Sequence, residues 1–236
     1  MQNNLKYKDH YYTKLPHIQP KDSIIFITFR LDIPCTKEYF QMLKRKKDEL
    51  SNYNQNAPNA NEQRVIMNKK LFAFQDSFFD THKHQNNFLQ NDNCARIMKN
   101  EILLHDKSLY ELFAFTIMPN HVHMLFKPLK DESGEFISLS RIMNLLKGRS
   151  ARSINLFLER NGRLWQNEYY DHYVRNENEM NNIIRYIIMN PVKAGLADQP
   201  KQWPWNWVMQ EFRCFFEEDY VREDYNDSFE FEECPF

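Results

Sequence analysis

Apolar runs alternate with polar and charged segments along the chain, and their lengths predict strands and helices in mixed order. Residues 23–31 (SIIFITFRL) are a compact run of β-forming residues and predict a first strand, which a charged helix over residues 36–50 follows. Residues 110–117 and 121–127 predict two strands joined by turn residues at 118–120. Two strands so closely joined indicate a hairpin, and therefore antiparallel pairing.

Helical spacing of apolar positions predicts two helices further along the chain, at residues 93–106 and 138–159. Residues 164–174 are predicted to be extended. Asn176 is a good N-cap for a last helix, and we expect that helix to end at Asn190 because Pro191 blocks its continuation.

This order of elements predicts an α+β fold of the ferredoxin or RRM type, with an antiparallel sheet and helices packed on one face. We expect a single domain over residues 1–210 and an acidic tail over residues 211–236. Residues 51–93 look like an insertion: an Asn- and Pro-rich loop comes first, and residues 62–90 carry phenylalanines beside a polar run and are hard to place.

The composition is that of a globular chain with a sizeable core: 42% of its 236 residues are hydrophobic and 15% are aromatic. No apolar stretch is long enough to span a membrane, and the N-terminus lacks a signal-peptide pattern. The four cysteines are scattered, which is typical of reduced thiols in a cytoplasmic protein. The P-loop, the Gly-rich dinucleotide turn and the serine-hydrolase elbow do not occur, so the common enzyme classes that carry them are excluded.

Charge is distributed unevenly along the chain. Residues 211–236 contain ten acidic residues and two arginines, a net charge of −8, so the preceding 210 residues carry +7 of the total of −1. A basic body leaves a nucleic-acid partner open. We expect the tail to compete with DNA for that body, although a solvated tail on an ordinary domain explains the charges equally well.

His121 and His123 flank one apolar residue in a predicted strand. Side chains at i and i+2 of a strand point to the same face, so the two imidazoles could converge on one cation. A core histidine beside a surface histidine is the ordinary alternative for a lone pair of this kind. The second pair, His82 and His84, lies in a polar context and is expected at the surface.

Tyr186 and Asn190 lie four residues apart on the last predicted helix and therefore share a face. A tyrosine hydroxyl can act as a nucleophile, and an amide oxygen can bind a hard cation. Core packing explains a tyrosine in an apolar helix just as readily, and asparagine is common at helix ends.

Basic residues cluster between these two candidate sites. Cationic side chains contact phosphate oxygens and supply salt-dependent affinity for nucleic acids. We therefore expect four of them to bind the DNA backbone: Lys147, Arg149, Arg152 and Arg163. An ordinary solvated helix face is the alternative.

The string MPNHVHMLF (residues 118–126) resembles the signature of the HUH single-tyrosine transposases of the insertion-sequence type. GRLWQNEYYDHYVRN (162–176), YIIMNPVKAGL (186–196) and WPWN (203–206) resemble the REP-associated branch, the REP-associated tyrosine transposases. The four blocks occur in the family's order and together cover roughly residues 20–210. The segment over 51–93 and the acidic tail depart from the family's pattern.

The resemblance implies a metal-dependent endonuclease and strand transferase that acts on single-stranded DNA, with a hairpin as a further expected feature of the substrate. It implies Tyr186 as the nucleophile that forms a 5′-phosphotyrosine, and His121, His123 and Asn190 as ligands of Mg²⁺ or Mn²⁺. It leaves open whether the protein is a monomer or a homodimer. A non-catalytic nucleic-acid binder on the same fold and a metal-dependent phosphodiesterase with a structural tyrosine are the alternatives.

Overall fold

The computed structural model describes residues 10–12, 16–18, 20–32, 37–53, 60–81 and 87–217. The strands are β1 (His10–Tyr12), β2 (Pro16–Ile18), β3 (Ile25–Arg30), β4 (Tyr110–Ile117), β5 (His121–Pro128), β6 (Tyr170–Tyr173) and β7 (Asn206–Val208). The helices are α1 (Lys37–Tyr53), α2 (Ala60–Thr81), α3 (Asp92–Leu104), α4 (Leu139–Phe157) and α5 (Glu177–Lys193). Short 3-10 helices lie at Phe88–Gln90, Pro200–Gln202 and Gln210–Phe216.

Five strands form one sheet in the order β6-β3-β5-β4-β7, and each neighbouring pair is antiparallel. β5 is the central strand, and its register with β3 places His121 opposite Arg30 and His123 opposite Thr28. β1 and β2 pair separately as a small antiparallel ribbon. The predicted α+β class and the antiparallel sheet are confirmed.

Helices cover both faces of the sheet, which corrects the expectation of one covered face. α3 and α4 pack against Ile27, Phe29 and Met124 on the first face. α5 packs against Phe26 and Leu125 on the opposite face. Every residue of β3 is buried, so both faces of this strand are covered, although one face carries the polar side chains of Thr28 and Arg30.

α2 occupies most of the segment that the sequence left unplaced, because residues 60–81 form one helix of 22 residues. Its Phe72 joins the cluster under α5, whereas its Phe79 joins the cluster under α3 and α4. α2 therefore contributes to both apolar clusters, through phenylalanines that lie on one face of the helix.

α5 begins as predicted but ends later than predicted. Asn176 caps it by accepting a hydrogen bond from the Glu179 backbone N–H at 2.9 Å. The predicted end at Asn190 is wrong, because the helix continues through Pro191 to Lys193. Pro191 lies in the last turn, where its missing N–H removes only one helical hydrogen bond.

Two other expectations differ from the structure in extent. Within the stretch 164–174 that we predicted to be extended, only β6 is a regular strand, with an isolated bridge between Leu31 and Trp165. β7 was not predicted at all.

His82, His84 and the tail beyond residue 217 lie outside the described residues. Among the helices that the structure describes, none is both long enough and apolar enough to cross a membrane.

Candidate metal and nucleophile site

His121 and His123 lie on the same face of the central strand, as strand alternation predicts. Both side chains are fully buried, and their Nε2 atoms are 2.9 Å apart. His121 Nδ1 donates a hydrogen bond to Asn120 Oδ1, and His123 Nδ1 lies 2.6 Å from Thr28 Oγ1. Since the second ring nitrogen of each histidine is held in this way, both Nε2 atoms are presented to one point.

The buried environment favours the neutral form of the first imidazole. Burial lowers the pKa of His121 well below its usual value, and the neighbouring His123 lowers it further. A neutral imidazole offers a lone pair, which is the form in which histidine binds metals. His121 therefore presents a metal-binding nitrogen at neutral pH without having to release a proton.

α5 brings Tyr186 and Asn190 to the same side of the sheet as the two histidines. The Tyr186 ring is half-buried, packs edge-on against Phe26 and lies 5.3 Å from the His123 ring. The Asn190 side chain is 1% exposed, and its Oδ1 has no hydrogen bond of normal geometry with any described residue, although Asn190 lies near enough to His121 to raise the pKa of that imidazole slightly against the effect of burial. An orphaned oxygen of this kind costs stability unless a ligand satisfies it.

Asp76 and Arg30 also line the candidate site, and neither was predicted from the sequence. Asp76 projects from α2 into the space between the histidines and Tyr186, and the Tyr186 hydroxyl donates a hydrogen bond to it. The Arg30 guanidinium donates to Asp76 Oδ1 at 2.5 Å, with both side chains almost completely buried. Burial raises the pKa of Asp76, but His123, Arg30 and His121 together hold it well below its usual range.

The sequence does carry a signal for both missed residues. Phe26, Thr28 and Arg30 occupy alternate positions of β3, so their side chains lie on one face of the sheet. Thr28 and Arg30 lie opposite His123 and His121 of β5, and all four side chains share that face. Asp76 stands in the run LFAFQDSFF, with Phe72 four residues before it and Phe79 three residues after it. A carboxylate at helical spacing from two phenylalanines indicates a buried acid, and a buried acid requires a cationic partner.

The residues present fit a divalent cation. Asp76, His121 and His123 form a buried group whose possible ligand atoms lie within 4.8 Å of one another. Asn190 adds the unsatisfied amide oxygen. Two imidazole nitrogens with carboxylate and amide oxygens suit Mn²⁺, and the oxygen donors suit Mg²⁺.

The four predicted DNA-binding residues are not part of this site. α4 packs on the opposite face of the sheet. Lys147 donates to the backbone oxygens of Gln166 and Asn167, and burial lowers its pKa to about 8. Arg149 pairs with Glu101 at 2.5 Å. Arg152 and Arg163 are exposed.

The family model described as "Transposase IS200 like" matches residues 79–190, which include both histidines, Tyr186 and Asn190. Residues 79–190 are therefore similar to the IS200-like transposases. The resemblance to transposases stated from the sequence is thereby confirmed. Asp76 lies just before the matched residues, and Arg30 lies further upstream.

Two curated relatives are similar to part of this chain. A putative REP-associated tyrosine transposase of Haemophilus influenzae is 24% identical over 102 residues, which are 41% of this chain and 58% of the relative. The REP-associated tyrosine transposase of Escherichia coli (strain K12) is 27% identical over 97 residues, 41% of this chain and 53% of the relative. The match thus spans little more than half the length of these relatives. Their names agree with the prediction of an enzyme.

Among solved structures, the chain is similar to a REP-associated tyrosine transposase bound to a REP hairpin. The similarity has a TM-score of 0.44 at 15% sequence identity and covers 83% of this chain and 82% of that one.

Proposed function

We propose that this chain is a metal-dependent endonuclease and strand transferase that acts on single-stranded DNA. Tyr186 is the nucleophile, and His121, His123 and Asn190 are the residues that hold Mg²⁺ or Mn²⁺. The observation that carries the proposal is the convergence of these four side chains. Two come from the central strand and two from α5, and they meet around one buried carboxylate.

The bound cation would polarise a phosphate oxygen and offset negative charge in the transition state. Tyr186 attacks phosphorus: its oxygen forms a bond to phosphorus as the bond from phosphorus to the 3′ oxygen breaks. The phenolic proton is released, and the departing 3′ oxygen takes up a proton. The products are a 5′-phosphotyrosyl enzyme and a free 3′ hydroxyl, which can be joined again to another strand.

The chain itself holds the nucleophile in place for this step. Phe26 and the His123 ring contact the Tyr186 ring, and Lys193 lies 5.2 Å from its centre. The Tyr186 hydroxyl therefore points to the same place as the two Nε2 atoms. A nucleophile held within reach of the bound phosphate avoids the entropy cost of a free encounter.

The proposed substrate is single-stranded DNA. The resemblance of the sequence motifs implies such a substrate, and both curated relatives are named as REP-associated transposases. A hairpin beside the cleaved strand remains a prediction for this chain. The test is therefore made both with a plain single strand and with a strand that carries a hairpin.

The decisive experiment compares Tyr186→Phe with Tyr170→Phe. The protein is incubated with single-stranded DNA and Mn²⁺ and then separated on a denaturing gel, where a covalent adduct migrates more slowly. Phenylalanine keeps the ring and its packing, so we expect Tyr186→Phe to fold and bind DNA but to form no adduct. Tyr170, which stacks on Phe72 on the same sheet face, is the matched control and should lose nothing.

Each contrary result identifies one of the alternatives. Cleavage that persists in Tyr186→Phe would mean a phosphodiesterase with a structural tyrosine. DNA binding by the wild-type protein without any adduct in Mn²⁺ would mean a non-catalytic binder.

A further inference from the structure

Asp76 is the point at which the polar groups of the site meet, and its two oxygens have different neighbours. Oδ1 accepts the hydrogen bond from Arg30 at 2.5 Å and lies 3.9 Å from His121 Nε2. Oδ2 lies 3.4 Å from His123 Nε2 and 3.4 Å from Asn190 Nδ2, and it accepts the Tyr186 hydroxyl. Oδ1 is therefore bound by Arg30, and Oδ2 faces Tyr186 and the proposed metal ligands.

We propose that Asp76 is the carboxylate ligand of the divalent cation at this site and that Arg30 is the positioning residue that orients it. This inference rests on the metal dependence in the proposed function. Nothing in the match to the transposase family assigns either residue, since both lie upstream of residue 79.

The donor chemistry supports a carboxylate at this position. Two imidazoles and one amide supply no negative charge, whereas Mg²⁺ and Mn²⁺ bind most readily where carboxylate oxygens are present. The spacing agrees as well: ligand atoms about 2.1 Å from an octahedral ion lie about 3 Å from each other. The two Nε2 atoms are 2.9 Å apart, and Asp76 Oδ2 is 3.4 Å from the nearer one.

The Arg30–Asp76 pair differs from an ordinary buried salt bridge. A structural arginine–carboxylate pair is commonly bidentate, with two parallel hydrogen bonds. Here one guanidinium nitrogen binds one oxygen, and Arg30 Nε has no hydrogen-bond partner among the described residues. The guanidinium lies 5.5 Å and 5.2 Å from the ring centres of Phe72 and Phe79 of α2. The guanidinium thus contacts both rings and binds Oδ1, while Oδ2 faces the other groups of the site.

The experiment measures Mn²⁺ binding to the full chain without DNA, by titration with detection of free Mn²⁺ in its electron paramagnetic resonance spectrum. We expect Asp76→Asn to weaken Mn²⁺ binding at least about tenfold, and Arg30→Gln to weaken it by about 10- to 100-fold, as loss of an orienting partner does. His123→Gln removes a proposed metal ligand, so it is the positive control for loss of Mn²⁺ binding. Asp198→Asn, an exposed aspartate that loses the same charge, is the matched control and should bind like wild type.

Removing one partner of a buried ion pair can unfold a protein. A double variant that removes both charges is therefore tested as well. Arg30→Gln combined with Asp76→Asn removes both charges and leaves two amides that can bond to each other. We expect this variant to fold, as circular dichroism would show, and to keep at least the tenfold loss of Mn²⁺ affinity.

Mn²⁺ affinity within twofold of wild type in Asp76→Asn or in the double variant would overturn the inference. Unchanged Mn²⁺ affinity with tighter DNA binding would overturn it too, and would mean that Asp76 occupies the position of the scissile phosphate. A failure of the proposed function gives a different pattern, because His123→Gln would then bind Mn²⁺ as well as wild type does.

Discussion

The buried side-chain oxygen of Asn190 lowers the stability of the protein without metal. Its side chain is 1% exposed, and Oδ1 accepts no hydrogen bond from the described residues. An unsatisfied buried polar group of this kind costs about 1–3 kcal/mol. Its neighbours on α5 are apolar, so packing alone would favour a residue such as leucine here. The proposed cation would supply the missing partner of this oxygen.

Asn190→Leu should therefore separate stability from function. Because leucine has a similar size and no orphaned oxygen, we expect the free energy of unfolding without metal to stay unchanged or to rise by about 1 kcal/mol. We expect Mn²⁺ binding and the covalent adduct to be lost. Urea unfolding, Mn²⁺ titration and the adduct gel measure the three quantities.

Thr116→Val is the matched control for that substitution. The Thr116 hydroxyl is also buried without a partner among the described residues, and the side chain lies opposite His123 on β4. Its replacement should raise stability by a similar amount and leave the adduct intact. Strong destabilisation by Asn190→Leu would show that Asn190 is there for packing.

At the scale of elements, a buried pair fastens the start of α5 to the sheet. His172 on β6 lies 2.9 Å from Glu179 Oε1, and the other carboxylate oxygen accepts the Arg175 backbone N–H at 2.7 Å. Burial lowers the pKa of His172 below its usual value. Burial raises the pKa of Glu179, but the hydrogen bonds from His172 and Arg175 bring it below its usual value. The helix that carries Tyr186 is thus tied to the sheet by groups that titrate.

Acid should loosen this attachment in two steps. The unfolded chain binds a proton at His172 more readily than the folded chain does, so stability falls as the pH falls below about 6.5. The stability that Glu179 contributes above its ordinary pKa is lost at still lower pH, as the pH falls through its lowered folded value.

His172→Gln should reduce the loss of unfolding free energy between pH 7 and pH 5 without abolishing it. Glutamine can still donate a hydrogen bond to Glu179 but does not titrate, and the lowered pKa of His121 contributes in the same direction. Urea unfolding at several pH values measures the slope. A slope equal to that of wild type would show that His172 does not titrate with folding.

At the scale of the whole molecule, the candidate site and the predicted basic surface lie on different faces of the sheet. The loop after α4 connects them, because Asp32, two residues beyond Arg30, donates its N–H to the Leu164 oxygen at 2.7 Å. Arg163, the neighbour of Leu164, is exposed and lies 4.0 Å from Asp32. We therefore keep the prediction that the exposed Arg152 and Arg163 bind the DNA backbone.

Arg152→Ala with Arg163→Ala should weaken binding to all single-stranded sequences alike. Each lost phosphate contact reduces the log–log salt slope by about 0.7, so we expect a slope flatter by about 1.4. Fluorescence anisotropy over a range of salt concentrations measures it. Lys44→Ala with Arg45→Ala removes the same charge from exposed positions on α1 and should leave the slope unchanged. A loss confined to one DNA sequence would instead indicate contacts to bases.

Lys147 and Arg149 are expected to behave differently from these two arginines. Lys147 holds two backbone oxygens and Arg149 holds Glu101, so their replacement should lower stability more than it lowers DNA affinity. The sequence grouped the four residues because they are close along the chain, whereas their contacts depend on where α4 lies.

By itself, the sequence determined which residues share a face. The period of two in a strand placed His121 with His123, and the period of 3.6 in a helix placed Tyr186 with Asn190, because both depend only on local backbone geometry. Only the tertiary structure decided which faces meet. It placed α5 over the histidines and set Asp76 against Arg30, 46 residues away in the chain. Burial of apolar surface on both sides of the sheet decides such pairings, and no local period records them.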